Sequence, residues 1–203
     1  MGYLIAILAG YLMGSSNMAY FISKMKQVDI RKKGSGNLGA SNAAVLFGWG
    51  PAVLVAVHDI GKAVLAVLLA KWAFPGLPLV GAAAGVACVL GHIFPFYLGF
   101  KGGKGLASFL GMLIALDWRV ALVAAILLVV VTLVTDFIAL GTITVSVVGP
   151  VGMLIVGGGL TVFLIMAIAT VVIIFKHQDN IVRIRNKQEI GLLSTVKGEN
   201  RVK

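Results

Sequence analysis

Residues 91–105, GHIFPFYLGFKGGKG, set a histidine, two lysines and five glycines into a chain that is otherwise largely apolar enough for a membrane. Glycine leaves the backbone free to turn its N–H groups toward an anion, and Lys101 and Lys104 add positive charge beside Gly99, Gly102, Gly103 and Gly105. The stretch reads as a phosphate site at the start of a helix, predicted from residue 103. It is not a Walker A loop: Lys104 is followed by Gly105 rather than Ser or Thr, and Leu98 stands where the first glycine is required. Gly34, Gly36 and Gly39 formally spell G-x-G-x-x-G. They follow the basic run Arg31-Lys32-Lys33 instead of a strand, so no nucleotide-binding unit is implied.

Working outward, 60% hydrophobic and 12% charged residues over 203 positions, with a mean hydropathy of +1.04, predict an all-α integral membrane protein forming a single membrane domain. About seven spans are expected, at 2–23, 51–74, 79–98, 103–116, 120–135, 137–156 and 160–175, followed by a tail at 176–203. The segment at 103–116, directly after the Gly/Lys motif, is short for a lipid-facing span. The net charge of +10 does not imply nucleic acid, because the basic residues fall between spans and in the tail. Cys88, the single cysteine, excludes an internal disulfide framework and a cysteine-rich metal site. The polar group Gly14-Ser15-Ser16-Asn17 in the first span permits close helix contact or interhelical hydrogen bonding, with packing the favoured reading.

Within 51–74 lie His58, Asp59 and Lys62. Asp59 is about 12 Å into that helix, where a bare charge is costly. Lys62 shares its face at i+3, so the two are expected to form a structural ion pair with His58 as a hydrogen-bonded neighbour. In the tail, His177, Asn180 and Arg183 recur at three-residue spacing, which a helix would bring together. With seven spans, the loops at 24–49 and 99–104 and the tail fall on one side. That side holds five, two and seven Lys or Arg, against Lys71 and Arg119 on the other. The positive-inside rule puts this face in the cytoplasm and the N-terminus outside, so three motifs distant in sequence can serve one site.

The segments GSGNLGASN at 34–42, GHIFPFYLGFKGGKG at 91–105 and HQDNIVRIRNKQE at 177–189 resemble the three motifs of the acyl-phosphate:glycerol-3-phosphate acyltransferases, the PlsY family. The resemblance implies a multi-pass enzyme of the bacterial inner membrane that moves an acyl group from acyl phosphate to the sn-1 hydroxyl of glycerol 3-phosphate. The products are lysophosphatidic acid and phosphate, with no cofactor and no metal. Carried over residue by residue, it implies Ser35, Lys104, His177 and Asn180 as catalytic. Gly34, Gly36, Asn37, Asn42, His92, Lys101, Gly102, Gly103, Arg183 and Glu189 are implied in substrate or phosphate binding, with Asp59 and Lys62 as the structural pair. Backbone amides and lysines suit two phosphate-bearing substrates.

No Ser, Cys or Thr has a neighbouring base identifiable from sequence, which favours direct transfer over an acyl-enzyme. His177 is the side-chain base candidate by intrinsic pKa, with the substrate phosphate dianion as the other acceptor. Acyltransferases that use acyl-CoA or acyl carrier protein carry H-x-x-x-x-D. Here His58, His92 and His177 are followed five residues later by Ala63, Tyr97 and Val182. The chain departs from the family pattern at Val45, where an arginine is usual, at Leu38 and Ala63, and at Asp136, where a basic residue is more common. Arg31, Lys32 or Arg183 could compensate at Val45. The other readings these residues allow are a divergent paralogue, acting on another acceptor or inactive, and an organic-phosphate transporter.

Overall fold

The computed structural model describes residues 1–192; the end of the expected tail, 193–203, lies outside the described residues. The architecture is all-helical, with six helices long and apolar enough to cross a membrane and one short apolar helix, Leu106–Leu116. The protein is thus an integral membrane protein. Its chain divides into two compact units, Met1–Leu116 and Asp117–Lys203.

The first unit opens with α1 (Gly2–Ser15) and α2 (Met18–Met25), two helices within one span, Gly2–Met25. The join is a polar break. Ser16 leaves helical geometry, and the Asn17 side chain caps α2 by accepting the Tyr20 N–H at 2.9 Å. A short 3₁₀ turn, Ile30–Lys32, and α3 (Ala40–Phe47) follow. Next come α4 (Trp49–Ala73), with Pro51 in its first turn, α5 (Val80–Ile93) and α6 (Leu106–Leu116).

Missing side chains bring these helices together. A Cβ on Gly10 would strike the Ala84 carbonyl, one on Gly14 the Cys88 carbonyl, and one on Gly91 the Tyr11 carbonyl, so α1 and α5 pack nearly backbone to backbone. Gly111 of α6 lies in the same way against the Ile60 carbonyl of α4. At about 1.5 Å per residue α6 is about 16 Å long, shorter than a full lipid-facing span. Phe109, Met112 and Leu113 are fully buried, so most of its surface meets protein instead of lipid.

The second unit contains α7 (Trp118–Thr135), α8 (Ile138–Ile155), α9 (Gly159–Lys176) and the short α10 (Gln178–Arg185). Asp117 caps α7 through the Arg119 and Val120 N–H groups and is clasped by the Arg119 guanidinium, which holds its carboxyl down at about 2. Pro150 sits inside α8, where it has no N–H to give the Ser146 carbonyl four residues earlier. The Thr170 hydroxyl of α9 donates to that carbonyl at 2.6 Å and ties the two helices together. Asp136 ends α7 in the left-handed region, φ 68°, a conformation Asp tolerates better than most residues.

Candidate active site

The loop at 33–42 is organised by one side chain. Buried Asn42 donates through Nδ2 to the carbonyls of Ile30, Lys33 and Asn37 at 3.3, 3.2 and 3.1 Å, and its Oδ1 accepts the Ser35 N–H at 3.0 Å. Its polar atoms therefore hold the loop, and the role it takes in the structure is positional. Gly34, with φ 59°, brings its Cα against the Asn42 oxygen where a Cβ would collide, and Gly36 turns with φ 69° over the Arg31 carbonyl. The loop is fastened to the first span by Asn17, whose Nδ2 donates to the Leu38 carbonyl at 3.2 Å. Ser35 is left exposed at the tip, and Asn37 is half-buried.

A buried polar chain runs from the helix break to the second motif. Lys62 Nζ lies 2.7 Å from Asp59 Oδ1, 2.7 Å from the Ser16 carbonyl and 2.9 Å from His92 Nδ1. His58 Nδ1 faces Asp59 Oδ1 at 3.3 Å, and its Nε2 meets the Ser16 hydroxyl at 3.0 Å. Asp59, Lys62 and His92 are all buried, so each charge finds its compensation inside the protein. Ser16 and His58 thus belong to this network, while Asn17 beside them caps α2 and holds the Leu38 carbonyl. Their signal was the N-cap residue Asn17 in the middle of an apolar span.

The glycine–lysine stretch differs from expectation in one respect. Gly102 N–H donates to the Ile93 carbonyl at 3.0 Å and Gly103 N–H to the His92 carbonyl at 3.1 Å. The last carbonyls of α5 have no partner within their own helix, and these two amides satisfy them. They are therefore turned toward α5, and the helix starts at Leu106 instead of residue 103. The glycines are needed for contact: a Cβ on Gly102 would hit the His92 carbonyl and the Pro95 ring, and one on Gly103 the His92 Nε2. Lys101 is exposed and Lys104 half-buried.

The third motif lies in the second unit. His177 sits at the junction of α9 and α10, buried, and its Nδ1–H donates to the Ile173 carbonyl at 2.7 Å. Asn180 Nδ2 and Arg183 Nε both donate to Glu189, at 2.5 Å each, so Glu189 gathers two residues that α10 carries one turn apart. The Arg31 guanidinium is clasped by Asp29 and keeps that carboxyl below its usual range. Two of the three side chains that could stand in for an arginine at Val45, Arg31 and Arg183, are thus in ion pairs.

Residues 4–187 match the family model described as glycerol-3-phosphate acyltransferase. The glycerol-3-phosphate acyltransferase of Prochlorococcus marinus (strain MIT 9215) is 36% identical over 189 residues, covering 92% of this chain and 95% of its own. That of Shouchella clausii (strain KSM-K16) is 42% identical over 151 residues, covering 73% and 74%. Among solved structures, the glycerol 3-phosphate form of PlsY (YgiH), an integral membrane glycerol 3-phosphate acyltransferase, superposes with a TM-score of 0.91 at 31% identity, over 99% of this chain and 100% of that one. Its lysophosphatidic acid form gives 0.86 at 32% identity, over 94% and 95%. With nearly its whole length matched in this way, the chain belongs to the glycerol-3-phosphate acyltransferase family and is an acyltransferase.

Proposed function

We propose that this protein transfers an acyl group from acyl phosphate to the sn-1 hydroxyl of glycerol 3-phosphate, at the cytoplasmic face of a bacterial inner membrane. The observation that carries the reading is the likeness to one enzyme solved both with glycerol 3-phosphate and with lysophosphatidic acid, the acceptor and the product of such an acylation. The excess of Lys and Arg in the 24–49 and 99–104 loops and in the tail supports the cytoplasmic face. Acyl phosphate as donor is supported by the absence of an H-x-x-x-x-D pair in the sequence.

In the proposed step the acceptor hydroxyl oxygen attacks the acyl carbonyl carbon, the ester C–O bond forms, and the bond from that carbon to the phosphate oxygen breaks. Phosphate leaves with the electron pair. The hydroxyl proton passes to His177, the side-chain base that the third motif implies, or to the substrate's own phosphate dianion. Because the Gly102 and Gly103 amides serve α5, phosphate binding falls to the side chains of Lys101 and Lys104 and to the exposed tip at Ser35. In the second unit Asn180 and Arg183 are held by Glu189, and their part in substrate binding is what the resemblance of the third motif implies.

The test is release of inorganic phosphate by the purified protein in lipid mesophase, given acyl phosphate with and without glycerol 3-phosphate. Acceptor-dependent release is the expected result, and release that ignores the acceptor would sink the reading. His177→Ala is expected to lower kcat at saturating acceptor by about 10²- to 10⁴-fold. Near-normal turnover in that variant would pass the proton to the substrate phosphate instead.

A further inference from the structure

The Lys62 ammonium has three protons and no lone pair, and three groups surround it: the Ser16 carbonyl, Asp59 Oδ1 and His92 Nδ1. Carbonyl and carboxylate accept, so the third contact requires an acceptor as well. A proton on His92 Nδ1 would point at the ammonium, 2.9 Å away, while the Asp59 oxygen lies farther off at 3.4 Å. The imidazole proton of His92 therefore resides on Nε2. That nitrogen makes no hydrogen bond among the described residues, although the side chain is only 3% exposed. It lies against Gly103, where any side chain would displace it, within the stretch that carries Lys101 and Lys104. An N–H that no protein group accepts is available to an acceptor that arrives.

We infer that Lys62 is a positioning residue whose hold on Nδ1 makes His92 a hydrogen-bond donor, offering Nε2–H at Gly103 to a phosphoryl oxygen of a bound substrate. His92 then has no part in proton abstraction, since its one lone pair is occupied by Lys62. Asp59, Ser16 and, through Asp59, His58 keep the ammonium in place. The two histidines are wired in opposite senses: Nδ1 accepts in His92 and donates in His177. The assignment rests on the proposed function only for the identity of the substrate, because the hydrogen bonds stand without it.

The experiment uses the full-length protein, labelled with ¹⁵N-histidine, in lipid nanodiscs. The His92 ring is expected to show an unprotonated Nδ1 and a protonated Nε2, identified by loss of its signals in His92→Gln, with Nε2 shifting when glycerol 3-phosphate is added. An Nδ1–H ring in the wild type would overturn the inference. In the activity assay, His92→Gln, which keeps an amide donor near Nε2 and cannot act as a base, is expected within about tenfold of wild-type kcat/KM. His92→Leu is expected to lose about 10²-fold or more. Equal losses in the two would make His92 a base and overturn the assignment.

Lys62→Met is expected to release the single tautomer and to lower kcat by about tenfold or more. The double variant Asp59→Asn/Lys62→Met, which removes both buried charges together, guards against simple misfolding of the single variant. A His92 ring that stays in one tautomer in both variants would overturn the role of Lys62. A protein that shows the Nε2–H ring shifting with inorganic phosphate yet acylates no glycerol 3-phosphate would sink the functional reading and leave the Lys62–His92 assignment standing.

Discussion

Asn42 and Val45 sit within one turn of each other on α3 and act by different means. Asn42 is spent on the loop it follows: its side chain holds three carbonyls and the Ser35 amide, so Asn42→Ala leaves buried polar groups unmatched. The expected cost is about 1–3 kcal/mol of stability, read as a lowered Tm in detergent. A fall in kcat from displacement of Ser35 should accompany it, and unchanged Tm with a raised KM alone would instead make Asn42 a direct ligand. Val45 is 56% exposed and holds nothing in place. With Arg31 and Arg183 already paired, Lys32 is the remaining compensating candidate outside an ion pair among the described residues. Val45→Arg is therefore expected to lower KM for glycerol 3-phosphate by about tenfold, the scale of one charge-assisted hydrogen bond. An unchanged KM would mean that the anion is already fully held. The motif letters in the sequence singled out both positions, but letters do not say whether an amide faces substrate or its own loop.

At the scale of elements, helix interruptions carry the chemistry. The break at Ser16-Asn17 frees the Ser16 carbonyl for Lys62, and the end of α5 fixes Gly102 and Gly103 by demanding partners for its last carbonyls. In the second unit the interruption is Pro150, and the repair is Thr170. Thr170→Val keeps the shape of the side chain and removes its donor, so it should destabilise the α8–α9 contact by about 1 kcal/mol. Thermal unfolding in nanodiscs checks this, and the restoring pair Pro150→Ala/Thr170→Val should recover most of the loss, since the backbone N–H regained at position 150 then serves the Ser146 carbonyl. Failure of the pair to recover stability would show that Thr170 acts elsewhere. Apolar run lengths placed these helices to within a few residues. The break in the first span was hidden because apolar residues resume directly after Ser16-Asn17.

For the molecule as a whole, the surface that a soluble protein would bury is turned outward: Leu122, Val129, Leu133, Leu164 and Val171 are among many large apolar side chains left exposed for lipid. With lipid outside, apolar contact gives helices little reason to prefer one another, and close backbone approach takes over that task. Gly14→Val should therefore separate α1 from α5 and cost about 1–3 kcal/mol, because the obstruction is the Cys88 backbone and not a flexible side chain. Gly61→Ala, in the interior of α4 with nothing within 4 Å, should be neutral or stabilise by up to about 1 kcal/mol. Paired Tm measurements decide the matter. Equal effects at the two positions would refute the packing argument.

The sequence by itself determined the membrane class and the family, since each depends on local apolarity or on residues within a short motif. The Asp59–Lys62 spacing was likewise legible, being one helical turn. Only the tertiary structure decided what those residues hold. Lys62 meets a carbonyl 46 residues before it and an imidazole 30 residues after it, and the Gly102 and Gly103 amides turn to α5 instead of an anion. Hydrogen-bond partners in a dry interior are chosen by which unpaired donors and acceptors the packed helices bring together, and that choice leaves no periodicity in the chain.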